Sequence, residues 1–90
     1  MDKKVTVIST IKNEKKGLED FIKSIFNQTL KPFEVIIVDG GSTDGSGTIL
    51  KKLSKKYNTL RYYIEPGLNI SEGRNFAIDK AKSEVVARIS

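Results

Sequence analysis

The sequence predicts an α/β fold, with a mostly parallel four-stranded sheet in a three-layer α/β/α arrangement. Three observations predict it. Short apolar runs rich in β-branched residues alternate with segments of helical periodicity, the alternation continues along the whole chain, and polar or glycine-containing turns separate the segments. Alternation of this kind is typical of right-handed βαβ units, which build a parallel sheet with helices on both faces.

The first half of the chain predicts two strands and one helix. Val5–Thr10 alternates and is rich in β-branched residues, which favours a strand. Lys15–Asn27 has apolar residues at the spacing of a one-faced helix, and Pro32 disfavours helical geometry in the residue before it. Glu34–Asp39 contains a continuous apolar run and ends in a carboxylate, as expected of a strand buried on both faces.

The second half of the chain repeats this alternation. Gly40–Gly45 is a turn by composition, and Ser42 or Asp44 could cap the helix that follows. Ser71 is the expected N-cap of the third helix. The remaining predicted elements are a helix that extends to about Tyr57, a strand at Leu60–Ile64, a helix that extends to about Lys82 and a strand at Glu84–Ile89.

The composition excludes several classes of site. The 90 residues contain no cysteine and no histidine. Disulfides, thiolate nucleophiles and Cys-ligated zinc or iron–sulfur sites are therefore excluded, and a metal would need oxygen ligands, as Mg, Mn and Ca prefer. No apolar run approaches the roughly 20 residues of a membrane span. We expect a soluble domain in the cytoplasm or at the cytoplasmic face of a membrane.

Common nucleotide-binding motifs are absent from the sequence. No G-x-G-x-x-G follows the first strand and no G-x-x-x-x-G-K-[ST] occurs, which argues against a dinucleotide-binding dehydrogenase and a P-loop NTPase. Ligands of parallel sheets bind beyond the carboxyl ends of the strands. Asp39 stands at such an end, where its carboxylate could accept an N–H from a base or a hydroxyl from a ribose. A tight turn that caps a helix is the alternative explanation of this segment.

An ordered set of motifs resembles a known family. The motifs are Thr10-Ile11-Lys12-Asn13-Glu14, Asn27-Gln28-Thr29, V-D-G-G-S-T-D-G from Val38 to Gly45, and Gly73-Arg74-Asn75-Phe76-Ala77-Ile78. Together they resemble the N-terminal nucleotide-binding half of the family 2 glycosyltransferases, from about Lys4 to Ser90. The resemblance implies a Rossmann-like half of a GT-A fold, in the order βαβαβαβ. It also implies that residues 1–90 form a single truncated half-domain.

The resemblance implies a site for a nucleotide sugar, most often a UDP-sugar. Thr10 and Asp39 match the positions that hold the base and the ribose, and Glu14 matches the acidic residue of the family's N-E pair. Arg74 belongs to the family's x-R-N segment, and its guanidinium suits phosphate or base contacts. Lys12 replaces an aromatic residue that often stacks on the base in the family, so the identity of the base stays open.

The implied reaction is an inverting transfer of a sugar from its nucleotide donor to an acceptor hydroxyl. In the family, an acidic D-x-D motif after the fourth strand holds a divalent cation, Mn or Mg, on the diphosphate, and a general base follows further along. Arg88-Ile89-Ser90 brings the sequence to the edge of that motif. The chain is therefore expected to lack the metal ligands and the catalytic base, and to be inactive alone.

Two other functions stay open at this point. In a strand order 3-2-1-4, Val85-Val86-Ala87 would form an exposed edge, which favours a non-catalytic module that self-associates as a dimer or larger assembly. The net charge of +5 and the cluster of Lys51, Lys52, Lys55 and Lys56 could instead indicate a nucleic-acid or anionic-membrane surface. A solvated helix face explains the lysines better, so no nucleic-acid partner is expected.

Overall fold

The computed structural model describes residues 4–28, 31–83 and 85–88, and in the last segment it describes the side chain of Ala87 alone. Thr29, Glu84, Ile89 and Ser90, which the sequence analysis placed in predicted elements or motifs, lie outside the described residues. The elements in chain order are β1 (Val5–Ile11), α1 (Lys15–Phe26), β2 (Glu34–Asp39), α2 (Ser46–Lys56), β3 (Leu60–Ile64), α3 (Ile70–Lys80) and β4 (Val85–Arg88). The predicted alternation of strands and helices is confirmed.

The four strands form one parallel sheet in the order β3-β2-β1-β4, which is the order that the family resemblance suggested. Ile11 of β1 is level with Asp39 of β2, and Asp39 is level with Ile64 of β3. Three neighbouring strands therefore finish together, and the loops that follow them meet at one edge of the sheet. We call this the carboxyl edge, and the opposite edge, where the strands begin, the amino edge.

Helices cover both faces of the sheet. One face packs against α1 and α2 through a cluster that includes Leu18, Ile22, Leu50 and Leu53. The other face packs against α3 through a smaller cluster that contains Ala77. Every residue of β2 is buried, which confirms the expected strand between two layers. The three-layer α/β/α architecture is thus as predicted.

The first turn of α1 is interrupted. Lys16 has ψ 117° and Gly17 has φ 88°, neither of which is helical. A positive φ of this size favours glycine, because a Cβ would be strained there. The regular helix therefore begins at Leu18, which is also where the apolar periodicity begins. The residues before it belong to the loop that follows β1 at the carboxyl edge.

The N-cap of α3 is Asn69, not Ser71 as the sequence predicted. The Asn69 side chain accepts a hydrogen bond from the Glu72 backbone N–H at 2.8 Å, and the Glu72 carboxylate accepts one from the Asn69 N–H at 3.0 Å. This reciprocal pair is a capping box, which needs an acid or amide three residues after the cap. Asn69 has Glu72 at that distance, whereas Ser71 has Arg74, so the prediction was wrong for a reason visible in the sequence.

A buried carboxylate at the amino edge ties distant segments together. The Glu34 Oε2 atom accepts hydrogen bonds from the Thr6 hydroxyl at 2.7 Å and from the Lys82 backbone N–H at 2.6 Å. The Arg61 guanidinium donates to Oε1 and also to the carbonyl of Lys80 at 2.8 Å. Glu34 therefore joins β1, β2, β3 and the segment between α3 and β4.

The pKa of Glu34 lies below its ordinary value of 4.5. Burial alone would raise this pKa, but hydrogen bonds from Thr6, from the Lys82 N–H and from Arg61 stabilise the charged form and outweigh burial. The carboxylate is therefore ionised at neutral pH and paired inside the fold.

Within residues 4–28, 31–83 and 85–88, the structure has no helix that is both long enough and apolar enough to span a bilayer.

Candidate functional site

A cleft of about 400 Å³ lies at the carboxyl edge of the sheet. Its walls come from the end of β1 and the loop after it, from the end of β2, and from the segment that leads into α3. The lining residues are Thr10, Ile11, Lys12, Glu14, Val38, Gly40, Leu68, Asn69, Ile70 and Gly73. A hollow of about 230 Å³ on the α1 side shares Thr10, Ile11 and Glu14 with it. The position is the one expected for ligands of an open parallel sheet.

Two of the four predicted site residues line the cleft. Thr10 is half-buried at the end of β1, and Glu14 is exposed in the loop that follows. Lys12, at the position where the family resemblance would place an aromatic residue, is exposed and also lines the cleft. The cleft therefore combines a hydroxyl, a carboxylate and an ammonium group on one wall.

Asp39 is buried beside the cleft, between the lining residues Val38 and Gly40. Its Oδ1 atom accepts hydrogen bonds from the backbone N–H groups of Gly41 at 2.9 Å and Ser42 at 2.7 Å. Oδ2 accepts none from the described residues. Asp39 as a whole is only 1% exposed, so Oδ2 is almost entirely covered. One oxygen thus fixes the turn, and the other accepts no hydrogen bond from the described residues.

The glycines after Asp39 allow close contact with the loop between β3 and α3. A Cβ at Gly40 would lie 2.9 Å from the carbonyl oxygen of Leu68. Gly41 has φ 108°, and a Cβ there would lie 3.2 Å from the Cα of Pro66. The two glycines therefore let the loop after β2 lie directly against the loop between β3 and α3.

Asn13 connects the loop after β1 to the loop after β2. Its backbone has φ 55°, a left-handed conformation that asparagine tolerates better than most residues. The Asn13 Oδ1 atom accepts the Thr43 N–H at 2.8 Å, and the Asn13 N–H donates to the Ser42 hydroxyl at 2.7 Å. The sequence analysis did not assign this role to Asn13, although the tolerance of asparagine for positive φ was a usable signal.

Asp44 makes a second connection between the same two loops. Its Oδ2 atom accepts the Lys15 N–H at 2.9 Å, and its Oδ1 atom accepts the Ser46 N–H at 3.0 Å and the Ser46 hydroxyl at 2.6 Å. These hydrogen bonds hold the pKa of Asp44 below its ordinary value. The bond from the Ser46 hydroxyl has the largest effect, and the bond from the Lys15 N–H has the next largest. Gly45, with φ 95°, occupies the N-cap of α2, so neither Ser42 nor Asp44 is the cap itself.

Arg74 does not line the cleft. It is half-buried on α3, next in sequence to Gly73, and forms no ion pair with a described residue. The structure therefore brings Thr10 and Glu14 together, places Asp39 beside them and leaves Arg74 on the adjacent helix. Asn69 and Ile70 line the cleft at the start of α3 and were not predicted as site residues.

Gly73 allows α3 to pack directly on β1 at the cleft. A Cβ at this position would lie 2.7 Å from the Thr10 Cγ2 atom, on a β-branched side chain that cannot easily turn away. We expect Gly73→Ala to destabilise the fold, because overpacking costs about 1–3 kcal/mol. The higher helix propensity of alanine offsets at most about 1 kcal/mol of this loss. The measurement is the midpoint of urea unfolding.

The matched control is Gly47→Ala in the first turn of α2. A Cβ there would lie 3.0 Å from the Ile64 Cδ1 atom, the end of a side chain that is nearly half exposed and can move. We expect that variant to be neutral or slightly stabilising. Equal losses of stability in the two alanine variants would contradict a specific contact between Gly73 and Thr10.

Comparison with known proteins gives a consistent result. A model of the family described as glycosyl transferase family 2 matches residues 6–89. The chain is 36% identical over 83 residues to the cholesterol galactosyltransferase of Borreliella burgdorferi. This alignment covers 92% of this chain and 23% of that protein. It is 33% identical over 86 residues to the glycosyltransferase GlyA of Streptococcus pneumoniae, covering 96% of this chain and 12% of that protein.

A similar fold occurs among solved structures. The mannosyltransferase PcManGT from Pyrobaculum calidifontis, solved in complex with GDP-Man and Mn2+, aligns with a TM-score of 0.86 and 26% sequence identity. The alignment covers 96% of this chain and 26% of that protein. The chain therefore spans about a quarter or less of the length of these similar proteins.

Proposed function

The chain belongs to glycosyl transferase family 2, and we propose that it forms the part of a glycosyltransferase that binds the nucleotide of a sugar donor. The observation that carries this proposal is the cleft at the carboxyl edge, where Thr10 and Glu14 line the wall beside the buried carboxylate of Asp39. Its fold is also similar, over 96% of this chain, to that of a protein solved with a nucleotide sugar. We infer that residues 1–90 act as one half-domain of a longer enzyme.

The proposed roles follow from the chemistry of each side chain. Asp39 Oδ2 accepts a hydrogen bond from a ribose hydroxyl or from an N–H of the base, and its Oδ1 holds the turn in place. The Thr10 hydroxyl contacts the same nucleoside. Glu14 is an additional acceptor at the mouth of the cleft. Arg74 follows the lining residue Gly73 in the sequence. Its guanidinium approaches a phosphate or an edge of the base once the donor is bound.

Two observations favour different bases for the donor. The sequence resemblance favours a UDP-sugar, whereas the similar mannosyltransferase was solved with GDP-Man. Lys12 lines the cleft where an aromatic residue would stack on a base. Its ammonium can meet a phosphate and its stem can cover a base edge. We therefore propose a nucleoside diphosphate sugar, with UDP to be tested against GDP.

The divalent cation of the family does not fit the described residues. The similar mannosyltransferase was solved with Mn2+. Within the part of this chain that the structure describes, however, no three acidic side chains come together as a metal would need. Asp39 Oδ1 and both oxygens of Asp44 already accept hydrogen bonds from the chain. Inverting sugar transfer to a hydroxyl remains a proposal for the longer protein.

The alternative of a self-associating module has no support from the comparisons. In the described sheet, β4 pairs with β1 alone, so an edge strand is present as predicted. Association through this strand, like the cytoplasmic location, stays a prediction.

A titration of this chain with nucleotides tests the proposal. UDP, GDP and their sugars are added to the isotope-labelled chain, and amide shifts are followed by NMR. We expect dissociation constants on the order of a millimolar, worth about 4 kcal/mol, because the described residues include no acidic cluster that could hold a metal on the diphosphate. The shifts should concentrate at Thr10, Glu14 and Gly40.

Inorganic pyrophosphate serves as the control ligand, since it carries charge but no base or ribose. Equal shifts with pyrophosphate and with the nucleotides would contradict a nucleoside site. Shifts that avoid the cleft altogether would contradict its assignment.

A further inference from the structure

The amino edge of the sheet carries a compact basic surface at the end of the molecule opposite the cleft. We define the basic edge by Lys4, Lys31, Phe33, Lys55 and Lys56, all of which are exposed. We propose that the basic edge holds the protein on an anionic lipid surface. This proposal is independent of what the cleft binds.

The topology brings these residues together. In a parallel sheet with crossover helices, each helix ends at the edge where the next strand begins. Lys55 and Lys56 are in the last turn of α2, and Lys31 and Phe33 precede β2. The Phe33 N–H donates to the carbonyl of Val5 at 2.8 Å, which places Phe33 beside the start of β1.

Side-chain contacts make one half of the surface continuous. The Lys4 Nζ atom lies 4.9 Å from the centre of the Phe33 ring, within the range of a cation–π interaction. Phe33 is 38% exposed, although it is one of the larger apolar residues of the chain. An aromatic ring and an ammonium are thus presented side by side to solvent.

The other half of the surface is linked through two buried or half-buried rings. The Lys31 Nζ atom donates to the carbonyl of Phe26 at 2.7 Å, at the end of α1. The Phe26 ring stacks on Tyr57 with centres 4.3 Å apart. The Lys56 Nζ atom lies 5.4 Å from the centre of the Tyr57 ring. Lys31 is therefore anchored on the backbone of Phe26, and Lys56 lies beside the ring that stacks on the Phe26 side chain.

The lysines of the basic edge have no direct ion-pair partner. None of the four forms an ion pair within residues 4–28, 31–83 and 85–88, although the Glu19 carboxylate interacts with Lys56 at longer range. Glu34, the acidic neighbour of Phe33, is buried and pairs with Arg61. Lys51 and Lys52 continue the positive charge along the exposed face of α2, although Lys52 lies 3.9 Å from Glu19. The surface therefore presents four lysine charges, none of them in a direct ion pair with a described residue.

The composition of the basic edge favours a membrane over a nucleic acid. Its cations are all lysines, which act as mobile point charges suited to a diffuse anionic surface. It has no arginine, the residue that reads phosphates and bases by paired hydrogen bonds. Phe33 can enter the headgroup region between the lysines, as aromatic residues do at membrane interfaces. Attachment here leaves the cleft, at the opposite edge, open to a donor from solution.

The test is cosedimentation of the chain with lipid vesicles. Vesicles of phosphatidylcholine alone are compared with equimolar phosphatidylcholine and phosphatidylglycerol. We expect binding to the anionic vesicles only, and release when salt shortens the screening length. Lys55→Gln with Lys56→Gln should weaken partitioning roughly ten- to thirtyfold, as expected when two cations leave an anionic surface. Phe33→Ser should weaken it further.

The matched control is Lys15→Gln with Lys16→Gln, which removes the same charge at the carboxyl edge. Circular dichroism of each variant establishes that it is folded. An equal loss of binding in the control would show that net charge alone is responsible and would overturn the proposal. Absence of binding to anionic vesicles would also overturn it. A third contradicting result would be that the wild type binds duplex DNA or RNA and that only the variant at Lys55 and Lys56 loses this binding.

Discussion

Asp39→Asn is expected to weaken nucleotide binding at least tenfold while changing the free energy of unfolding by less than about 1 kcal/mol. The asparagine Oδ1 atom can still accept the N–H groups of Gly41 and Ser42, so the turn is retained. The second position, however, becomes an amide donor in place of an acceptor. A ribose hydroxyl or base N–H then faces a donor, and loses a charge-assisted hydrogen bond worth about 1.5–3 kcal/mol.

The measurement combines the NMR titration with urea unfolding of the same variant. Asp79→Asn is the matched control, because it makes the same charge change at an exposed position in the last turns of α3. We expect the control to bind like the wild type. Wild-type affinity in Asp39→Asn would remove Asp39 from the site. A large loss of stability would show instead that both oxygens are structural.

Glu34→Ala is expected to produce the largest loss of stability among substitutions at polar residues, about 3–5 kcal/mol. The change leaves the Arg61 guanidinium, only 30% exposed, without its counter-charge, and leaves the Lys82 N–H without its acceptor. Domains of this size have a free energy of unfolding of about 5–15 kcal/mol, so the variant should be marginally folded. Urea unfolding followed by circular dichroism provides the measurement.

The control for Glu34 is Glu19→Ala, which removes an exposed ion pair with Lys23 on α1. Such pairs contribute about 0–1 kcal/mol. Similar losses in the two variants would contradict the special role of the buried carboxylate.

The same carboxylate predicts how stability depends on pH. Because the pKa of Glu34 is lower in the folded chain than its ordinary value of 4.5, folding favours the ionised form. Its contribution is fully present above the unfolded pKa and is lost as the pH falls through the folded pKa. Glu34→Gln should therefore narrow the difference between unfolding midpoints at neutral and at acidic pH. An unchanged difference would contradict this assignment.

Local patterns predicted the elements of this fold well. The apolar run of β2 indicated a strand buried on both faces, and strands at Glu34–Asp39 and Leu60–Ile64 have the predicted bounds. Asp39 followed from the same pattern, because the last residue of a buried parallel strand must lie at the carboxyl edge. Periodicity and turn composition indicate the bounds of helices and strands because they depend only on residues close together in the sequence.

The interactions that could not be predicted join residues far apart in sequence. Glu34 resembles an ordinary polar strand start, but its partners Thr6, Arg61 and Lys82 are 28, 27 and 48 positions away. Likewise, the contact of Gly40 with the Leu68 carbonyl depends on how two loops meet. Such pairings depend on the final strand order, which no local window contains.

The central position of β1 affects how the sheet is assembled. Val5 of β1 pairs with Val85 of β4, whereas its neighbour Thr6 pairs with Glu34 of β2. Closing the longer loop costs more chain entropy, so β1 joins β2 before it joins β4. While the chain is being synthesised, β1 therefore presents one unpaired side until β4 leaves the ribosome. We expect aggregation during synthesis to begin at that unpaired side.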